Sequence, residues 1–595
     1  MARASAPPPI RPYLAPMLLQ AASAARDAPL LTVLGAEIEA LLAAAGASRM
    51  ILSRTPVIVS GGLRTVVIEY RHESQPAWAP AGRFMDINHH LVVVSVKGAL
   101  AAVCASEPAM RDRIGKNLTA ARPVSRSTVE TAFVGTRTKA LWLNGIHVRS
   151  DAKADAKTLM GSNLELALDP LGDQSYAFNA VRSRVPLALS GGAADPVIGA
   201  APAEGRLWLN RPSDWNCFVA DIETILDALA VALAGPAVSR FPALAQSVSD
   251  LAQVTDAYAV AFVPPDLLLE DTDATVRDLA VRWAFGSGFV VTPAAGPDMT
   301  AAVTLEGVAL GDLTIQPIMA NGKVSVTFAW MTDPPAGAAG RAEFDQIAAN
   351  HDWLKLYYGS GHTIAEGHCY VAAVSDRWFP DYKFKNLAGY DLRMEKPDVR
   401  RGHTLALSIG EPKANGQRDN SLFGYCHDHF RQGWLASDDR SMELADFIHI
   451  SEAGAVTLIH VKRAGSTGVR IASASEYEVV TGQAIKNLRH LERRTLADAL
   501  DAGRNLQIAR AVWRDGVRQP DRTGMIAAAR ALAPDHERTV VIFQPHLTKT
   551  EHDDCKGGTA TPSRIQKMKQ LNTLLLSARL SASAVGATLE VWVAA

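Results

Sequence analysis

The chain has only five cysteines, and no two of them are spaced as in a known metal-binding or redox motif. Cys104, Cys217, Cys369, Cys426 and Cys555 are far apart, and no CxxC pair occurs. This scatter argues against a disulfide framework or a four-cysteine zinc site, and it is typical of a reducing compartment. We therefore expect a cytoplasmic protein.

An excess of charge of one sign is also lacking. Lys and Arg number 60, Asp and Glu number 61, and the formal net charge is −1. A balanced chain gives no whole-protein argument for binding a polyanion such as nucleic acid or an anionic membrane. Any nucleic-acid site must therefore be local.

Long hydrophobic runs are missing as well. The most apolar windows, such as residues 225–235, are far shorter than the roughly 20 apolar residues that cross a bilayer. Five prolines between residues 7 and 16 interrupt the apolar stretches near the N-terminus and leave no signal-peptide core. We expect no membrane partner.

Two kinds of motif are absent. No GxxxxGK[ST] phosphate loop occurs, which argues against an NTPase motor within this chain. No internal repeat is visible at periods of about 20 to 50 residues, which argues against a solenoid or a propeller.

What the sequence does contain is the composition of a globular protein. Hydrophobic residues make up 48% and charged residues 20% of the 595 positions, enough for a sizeable core and for several domains of roughly 150 residues. β-Branched runs between residues 56 and 104 predict strands, and the apolar spacing in 217–235 predicts a helix. The expected fold class is α/β, with an α+β N-terminal region.

A segment rich in proline and small residues suggests the main boundary. Asn321-Gly322 between two alternating runs predicts a hairpin with a type I′ turn, and DPPAGAAG at 333–340 follows that hairpin. Its prolines stop strand pairing and its small residues have little to bury, so we interpret 333–340 as a linker. The expected organisation is an N-terminal segment 1–55, a mixed α/β recognition or partner-binding region 56–332, this linker, and a C-terminal domain 341–595.

Within the C-terminal domain, a hairpin is predicted between residues 443 and 462. ELADFIHI and VTLIHVK alternate as strands do, with Gly454 in the turn between them. Because side chains alternate faces along a strand, His460 and Lys462 share one face, and Asp446 on the first strand can face the same cleft. A carboxylate, an imidazole and an ammonium around one point suit a metal ion with a polarising lysine.

A helix follows this hairpin. Ser475 and Glu478 fit a capping box, and apolar residues recur after them at helical spacing, with Gln483 on a separate polar stripe. A strand at 539–547, a helix at 563–580 and a final strand complete the predicted order β-β-α-β-α-β, which is a sheet backed by helices.

These residues resemble the PD-(D/E)XK nuclease superfamily. Its core has an Asp on one strand, an acidic-x-Lys on the next, and often a Gln-bearing helix after them. The segments ELADFIHI, LIHVKRAGS, SEYEVVTGQAIKNLRHLE and VVIFQPHLT are similar, more narrowly, to nuclease-like domains of bacterial anti-phage defence proteins, which are often joined to or encoded with a helicase. The resemblance covers about residues 341–595 and implies a restriction-endonuclease-like mixed sheet flanked by helices.

The resemblance also implies a function. The protein would be a metal-dependent nuclease effector of a prokaryotic antiviral defence system, hydrolysing phosphodiester bonds of DNA, with RNA as the other substrate. Asp446 would bind Mg²⁺ or Mn²⁺ together with His460, Lys462 would be the catalytic lysine, and Gln483 would support the site. The implied partners are nucleic acid and a helicase, ATPase or other defence subunit acting in trans.

One position departs from the superfamily. His460 stands where Asp or Glu is usual, and an imidazole suits Mn²⁺ but is a poor ligand for Mg²⁺ and adds no negative charge. The missing carboxylate could come from Glu443 or Asp439, although Glu443 would face the other side of a regular strand. Glu366 is a candidate for the superfamily's upstream acidic residue.

Two alternatives stay open. The first is a catalytically inactive nuclease-like fold that binds nucleic acid or a partner protein, with His460 as the sign of lost activity. The second is the HxK motif of phospholipase-D-type hydrolases, which begins as His460-x-Lys462 and uses His as a nucleophile without a metal. Thr467 stands where that motif has Asp, and no second HxK copy is evident.

Overall fold

The computed structural model of the protein divides the chain into two compact units. The first consists of Met1–Leu168 and Gly172–Ala373, and the second of Asp169–Leu171 and Val374–Ala595. The structure describes residues 9–595 apart from 47, 77, 81, 151, 237, 264–273, 321, 349–352, 373–376, 400, 414, 441–442 and 466–469. Both units are mixed α/β, as expected.

A twelve-stranded, largely antiparallel sheet forms the N-terminal part of the first unit. Its strands are β1 (Met17–Ala21), β2 (Arg49–Arg54), β3 (Ile58–Ser60), β4 (Leu63–Ser74), β5 (Asp86–Lys97), β6 (Leu100–Ala105), β7 (Ala121–Pro123), β8 (Thr136–Gly145), β9 (Ala156–Met160), β10 (Tyr176–Arg184), β11 (Val197–Ala201) and β12 (Arg206–Trp208). Its helices are α1 (Asp27–Ala44), α2 (Pro108–Asn117), α3 (Arg126–Phe133) and α4 (Trp215–Ala234). The strand order is β2-β4-β5-β6-β1-β12-β11-β10-β8-β9, with β3 on β4 and β7 on β1.

Both faces of this sheet are buried, which explains the continuous apolar runs in its strands. Val66 and Ile68 of β4 pack in one core with α1 and α2, while Val67 between them packs in the opposite core with α3 and α4. The expected strands in 56–104 and the helix in 217–235 are confirmed. Within the expected N-terminal segment 1–55, residues 17–21 form β1 and residues 27–44 form α1, so this part of the segment belongs to the fold.

Two smaller sheets complete the first unit. Their elements are β13 (Gln246–Ser247), β14 (Ala257–Phe262), α5 (Ala274–Gly286), β15 (Ser287–Pro293), β16 (Met299–Leu305), β17 (Val308–Ala320), β18 (Lys323–Trp330), α6 (Ala338–Ala348), β19 (Leu354–Tyr358), β20 (His362–Ala365) and β21 (His368–Val371). The strand orders are β13-β21-β20-β19-β14 and β15-β16-β17-β18. The expected hairpin is confirmed as β17 and β18, with Ala320 opposite Lys323 and Gly322 at φ +75°; Asn321 lies outside the described residues.

The segment expected to be a linker belongs to the first unit. Pro335–Gly337 form a short 3-10 helix that leads into α6, and Phe344 and Ile347 of α6 are buried in the same core as Trp283. Of the three strands after α6, β21 pairs with β13, β19 pairs with β14, and β20 lies between β21 and β19. The division between the units therefore falls at residues 373–374 and not at 333–340. The prolines at 334 and 335 do not form a linker, because they begin the short helix that leads into α6.

The second unit is an eight-stranded mixed sheet with helices on both faces. Its elements are β22 (Tyr382–Lys385), α7 (Leu405–Ser408), α8 (Leu422–His429), β23 (Trp434–Ser437), β24 (Phe447–Ile450), β25 (Val456–Val461), α9 (Ser475–Lys486), α10 (Arg493–Ala502), β26 (Val512–Arg514), β27 (Val517–Arg518), α11 (Thr523–Arg530), β28 (Arg538–Thr548), α12 (Lys549–Lys556), α13 (Pro562–Ala584) and β29 (Thr588–Ala594). The strand order is β22-β29-β28-β25-β24-β23-β26-β27, with β22, β29, β28 and β25 mutually parallel.

The hairpin that carries the expected site is present. β24 and β25 pair antiparallel from Ile450 opposite Val456 to Phe447 opposite Ile459, and Gly454 in the turn has φ +80°. The predicted helix, strand, helix and strand that follow are confirmed as α9, β28, α13 and β29, and α10, β26, β27, α11 and α12 are additional. None of the helices in the described part of the chain is long and apolar enough to cross a membrane.

Candidate functional site

Three carboxylates converge in the loop between β23 and β24. One oxygen each from Asp439, Glu443 and Asp446 lies within 4.8 Å of the other two, and we call these residues the carboxylate cluster. β24 begins only at Phe447, so residues 443–446 do not alternate as a strand would. The expectation that Glu443 faces away from Asp446 is therefore corrected, because it assumed a regular strand.

A buried ion pair holds this loop in place. Asp438 and Arg522 are both fully buried, and Arg522 Nη1 donates to Asp438 Oδ1 at 2.8 Å. Asp438 Oδ2 accepts from Arg440 Nε and from the Leu444 backbone N–H, each at 3.1 Å. The backbone N–H of Asp438 donates to the carbonyl of Asp446 at 3.1 Å. Asp438 thus ties both ends of the loop to the body of the second unit.

Asp446 sits at the end of the β24–β25 ladder. Beyond the pair Phe447–Ile459, the Val461 N–H donates at 2.7 Å to Asp446 Oδ2 in place of a strand carbonyl. Burial raises the pKa of Asp446 well above its ordinary value, and the charges of Glu443 and of neighbouring acidic groups add to this rise against the Val461 hydrogen bond. A bound cation would relieve this unfavourable crowding of negative charge.

The helix α9 positions a second carboxylate. Gln483 Nε2 donates to Glu443 Oε1 at 2.9 Å, and Asn487 Nδ2, just past the helix, donates to the Glu443 carbonyl at 3.2 Å. Burial raises the pKa of Glu443, and the charge of Asp439 raises it further. The sequence predicted Gln483 as a supporting residue, and it contacts Glu443.

Lys396 contacts the cluster directly, and Lys462 pairs with Glu395, which also pairs with Lys396. Lys462 follows the last residue of β25; its side chain is 41% exposed and its Nζ lies 3.6 Å from Glu395 Oε2. Lys396 Nζ lies 2.7 Å from Asp439 Oδ2 and 3.9 Å from Glu395 Oε1. Sequence reasoning missed Glu395 and Lys396, because they lie on an irregular segment between β22 and α7 with no periodic pattern.

His460 has a different environment. It is fully buried, and neither ring nitrogen has a hydrogen-bond partner among the described residues. It shares a strand face with Val456 and Leu458, which belong to the hydrophobic core. Burial, with the charge of Lys486, lowers the pKa of His460 to about 3. The structure groups Glu443 and Asp439 with Asp446, and His460 is outside that group.

Glu366, the other acidic candidate, lies in the first unit. It occupies the turn between β20 and β21 at φ +52° and accepts a hydrogen bond of 2.5 Å from Asn144 Nδ2. The acidic residue upstream of Asp446 that does border the carboxylate cluster is Glu395.

The donor set fits the expected kind of metal. Three carboxylates offer hard oxygen ligands, the type that Mg²⁺ and Mn²⁺ prefer. With the imidazole outside the cluster, the residues that would hold such an ion are Asp439, Glu443 and Asp446. Comparisons of the chain with known protein families, with curated proteins and with solved structures found no match. Residue roles therefore come from the geometry of the site itself.

Proposed function

We propose that the second unit is a metal-dependent phosphodiester hydrolase, a nuclease that acts in prokaryotic antiviral defence. The observation that carries this proposal is the carboxylate cluster at the start of β24, with Lys396 in contact with Asp439 and with Lys462, at the end of β25, paired with Glu395 next to Lys396. Carboxylates that hold a divalent cation next to a lysine are what metal-assisted phosphodiester hydrolysis requires.

The order of elements also supports the proposal. The antiparallel strands β23, β24 and β25 are followed by helices and then by β28, which is parallel to β25. This arrangement is consistent with the restriction-endonuclease-like sheet that the sequence resemblance to PD-(D/E)XK nucleases implies. The chain departs from that pattern at His460, two residues before Lys462, where the superfamily has Asp or Glu.

Each side chain has a role in this scheme. Asp439, Glu443 and Asp446 would hold Mg²⁺ or Mn²⁺. Gln483 fixes the orientation of Glu443 through its hydrogen bond. When bound, the cation lowers the pKa of water and offsets charge on the phosphate. Lys462 is partly exposed, so its ammonium can contact a phosphate oxygen or orient the attacking water.

The proposed substrate is DNA, with RNA as the second possibility. Arg463 is exposed and its backbone N–H donates to Glu395 at 3.3 Å, and the Arg393 side chain is 57% exposed. These two arginines, close in sequence to Glu395 and to Lys462, would contact the phosphate backbone without reading sequence. These arginines supply local positive charge, whereas the chain as a whole has nearly equal numbers of acidic and basic residues.

Cleavage assays test the proposal. The purified full-length chain would be incubated with plasmid DNA, single-stranded DNA and RNA, each with Mg²⁺, Mn²⁺ or EDTA. We expect cleavage with metal, none in EDTA, and a loss of at least about 100-fold in Asp446→Asn and Lys462→Ala. Lys549→Ala is the matched control, since Lys549 is an exposed lysine that pairs with Asp553 on its own helix and lies over the Phe384 ring. Full cleavage by both site variants would overturn the proposal.

The second candidate is an inactive nuclease-like fold that binds nucleic acid or a partner protein. The burial of His460, where the superfamily has a ligand carboxylate, favours it. DNA binding without cleavage under any divalent metal would support this candidate. The HxK mechanism requires His460 to reach substrate, and its complete burial argues against that; cleavage that persists in EDTA would support it.

A further inference from the structure

A second group of metal-ligating side chains lies in the first unit. One ligand atom each from His72, His90 and Glu107 lies within 4.8 Å of the other two, and we call these residues the histidine cluster. β4 and β5 pair antiparallel with Tyr70 opposite His90, so His72 is diagonal to His90 on the same face of the sheet. The two imidazole centroids are 6.2 Å apart.

The Glu107 carboxylate is buried and held by donors on both oxygens. Oε2 accepts from Tyr70 Oη at 2.6 Å and from Arg49 Nε at 3.1 Å, and Oε1 accepts from Arg49 Nη2. These hydrogen bonds fix the orientation of the carboxylate, as donors behind a metal ligand do.

The spacing of two ligand atoms matches a metal site. His72 Nδ1 lies 3.2 Å from Glu107 Oε1. Two ligands with bonds of about 2.0 to 2.1 Å in a tetrahedral zinc site are about 3.3 Å apart. A cation can thus lie between these two atoms with little movement of either side chain.

His90 is prepared as the third ligand. Ser106 Oγ lies 3.3 Å from His90 Nδ1 and also accepts from the Leu91 N–H at 3.0 Å. A hydrogen bond from Nδ1 to Ser106 leaves the lone pair on Nε2 for a metal.

We propose that His72, His90 and Glu107 bind one first-row transition-metal dication of the Zn²⁺ class. Two imidazoles and one carboxylate are a donor set for such ions and a poor one for Mg²⁺, whereas the all-oxygen carboxylate cluster suits Mg²⁺. Three protein ligands leave a coordination position for water or a small ligand. This proposal does not depend on the nuclease assignment, because it concerns different residues in the other unit.

Cobalt titration tests the site directly. The untagged full-length chain, stripped with EDTA and desalted, would be titrated with Co²⁺ in excess Mg²⁺, which occupies the carboxylate cluster. We expect one equivalent of Co²⁺ with visible d–d absorption, displaced by one equivalent of Zn²⁺. The same signal is expected in Asp446→Asn, which separates this site from the nuclease site.

Variants of β5 decide which residues bind the ion. His90→Ala should weaken Co²⁺ binding by at least about 100-fold, and His89→Ala, at the exposed neighbouring position, should bind as the parent does. Zn²⁺ should raise the Tm of the parent and of His89→Ala but not that of His90→Ala, whose Tm in EDTA shows that it is folded. Co²⁺ binding that is unchanged in His90→Ala, or no stoichiometric binding by the parent, would overturn the proposal.

Discussion

At the scale of single residues, the second unit contains two buried polar side chains, Asp446 and His460, whose surroundings differ. Asp446 has a hydrogen bond from Val461 and lies beside Glu443 and Asp439, so its burial brings three carboxylates together. His460, on the adjacent strand, has unpaired ring nitrogens inside the core. An unpaired buried polar group costs about 1 to 3 kcal/mol of stability. Among the described residues, His460 is not grouped with the carboxylate cluster, so a role as metal ligand there does not offset this cost.

Replacing this histidine with an apolar residue should therefore be tolerated. We expect His460→Leu to unfold at the same Tm as the parent or higher, because leucine fills a similar volume without unpaired nitrogens. Metal-dependent cleavage should also persist. Leu458→Ala, two residues earlier on the same face, is the control and should lose about 2 to 5 kcal/mol. A clear fall in Tm together with lost cleavage in His460→Leu would mean that His460 serves the site.

At the scale of elements, the loop between β23 and β24 depends on one ion pair for its shape. Asp438 connects to Arg522 near the start of α11, to Arg440 and Leu444 within the loop, and to Asp446 at its end. The carboxylate cluster is therefore positioned by a residue that is not part of it.

Breaking this ion pair should be costly. Asp438→Ala leaves the Arg522 guanidinium buried without its counter-charge, and we expect a loss of about 3 to 5 kcal/mol in urea unfolding. Adding Arg522→Met to that variant should recover part of the loss, since it removes the unpaired charge. Asp501→Ala, which removes partly exposed ion pairs with Arg504 and Arg530, should change stability by only about 0 to 1 kcal/mol. A small effect of Asp438→Ala would contradict this account.

At the scale of the whole molecule, the chain folds as two units whose division follows residue 373. The strands β19 to β21 come after the expected linker but complete a sheet with β13 and β14, and α6 fills the core beneath them. A cut at 340 therefore divides a core, whereas a cut near 374 does not.

Fragments of the chain test this division. We expect residues 1–372 and 377–595 to give soluble fragments with cooperative thermal unfolding. Fragments 1–340 and 341–595 should aggregate or unfold without cooperativity, because β14 loses its partner β19 and the second of these fragments exposes Phe344 and Ile347. Cooperative unfolding of the 1–340 fragment would contradict the observed boundary.

Local patterns in the sequence were sufficient for many elements. The hairpin β24–β25, the helix α9 and the strand β28 were predictable because alternation, turn glycine and helical spacing are properties of neighbouring residues. The same patterns singled out Asp446, Lys462 and Gln483. They misplaced Glu443, since a period of two was extended through residues that are not in a strand.

The sequence by itself determined the mixed α/β class, the main secondary elements and the chemical types available at the site. Only the tertiary structure decided that Glu443 and Asp439 join Asp446, that Glu395 and Lys396 border them, and that His460 is enclosed in the core. It also decided the boundary between units and brought His72, His90 and Glu107 together. Contacts of this kind join residues far apart in the chain through packing and buried charge, and these do not leave a periodic signal in the sequence.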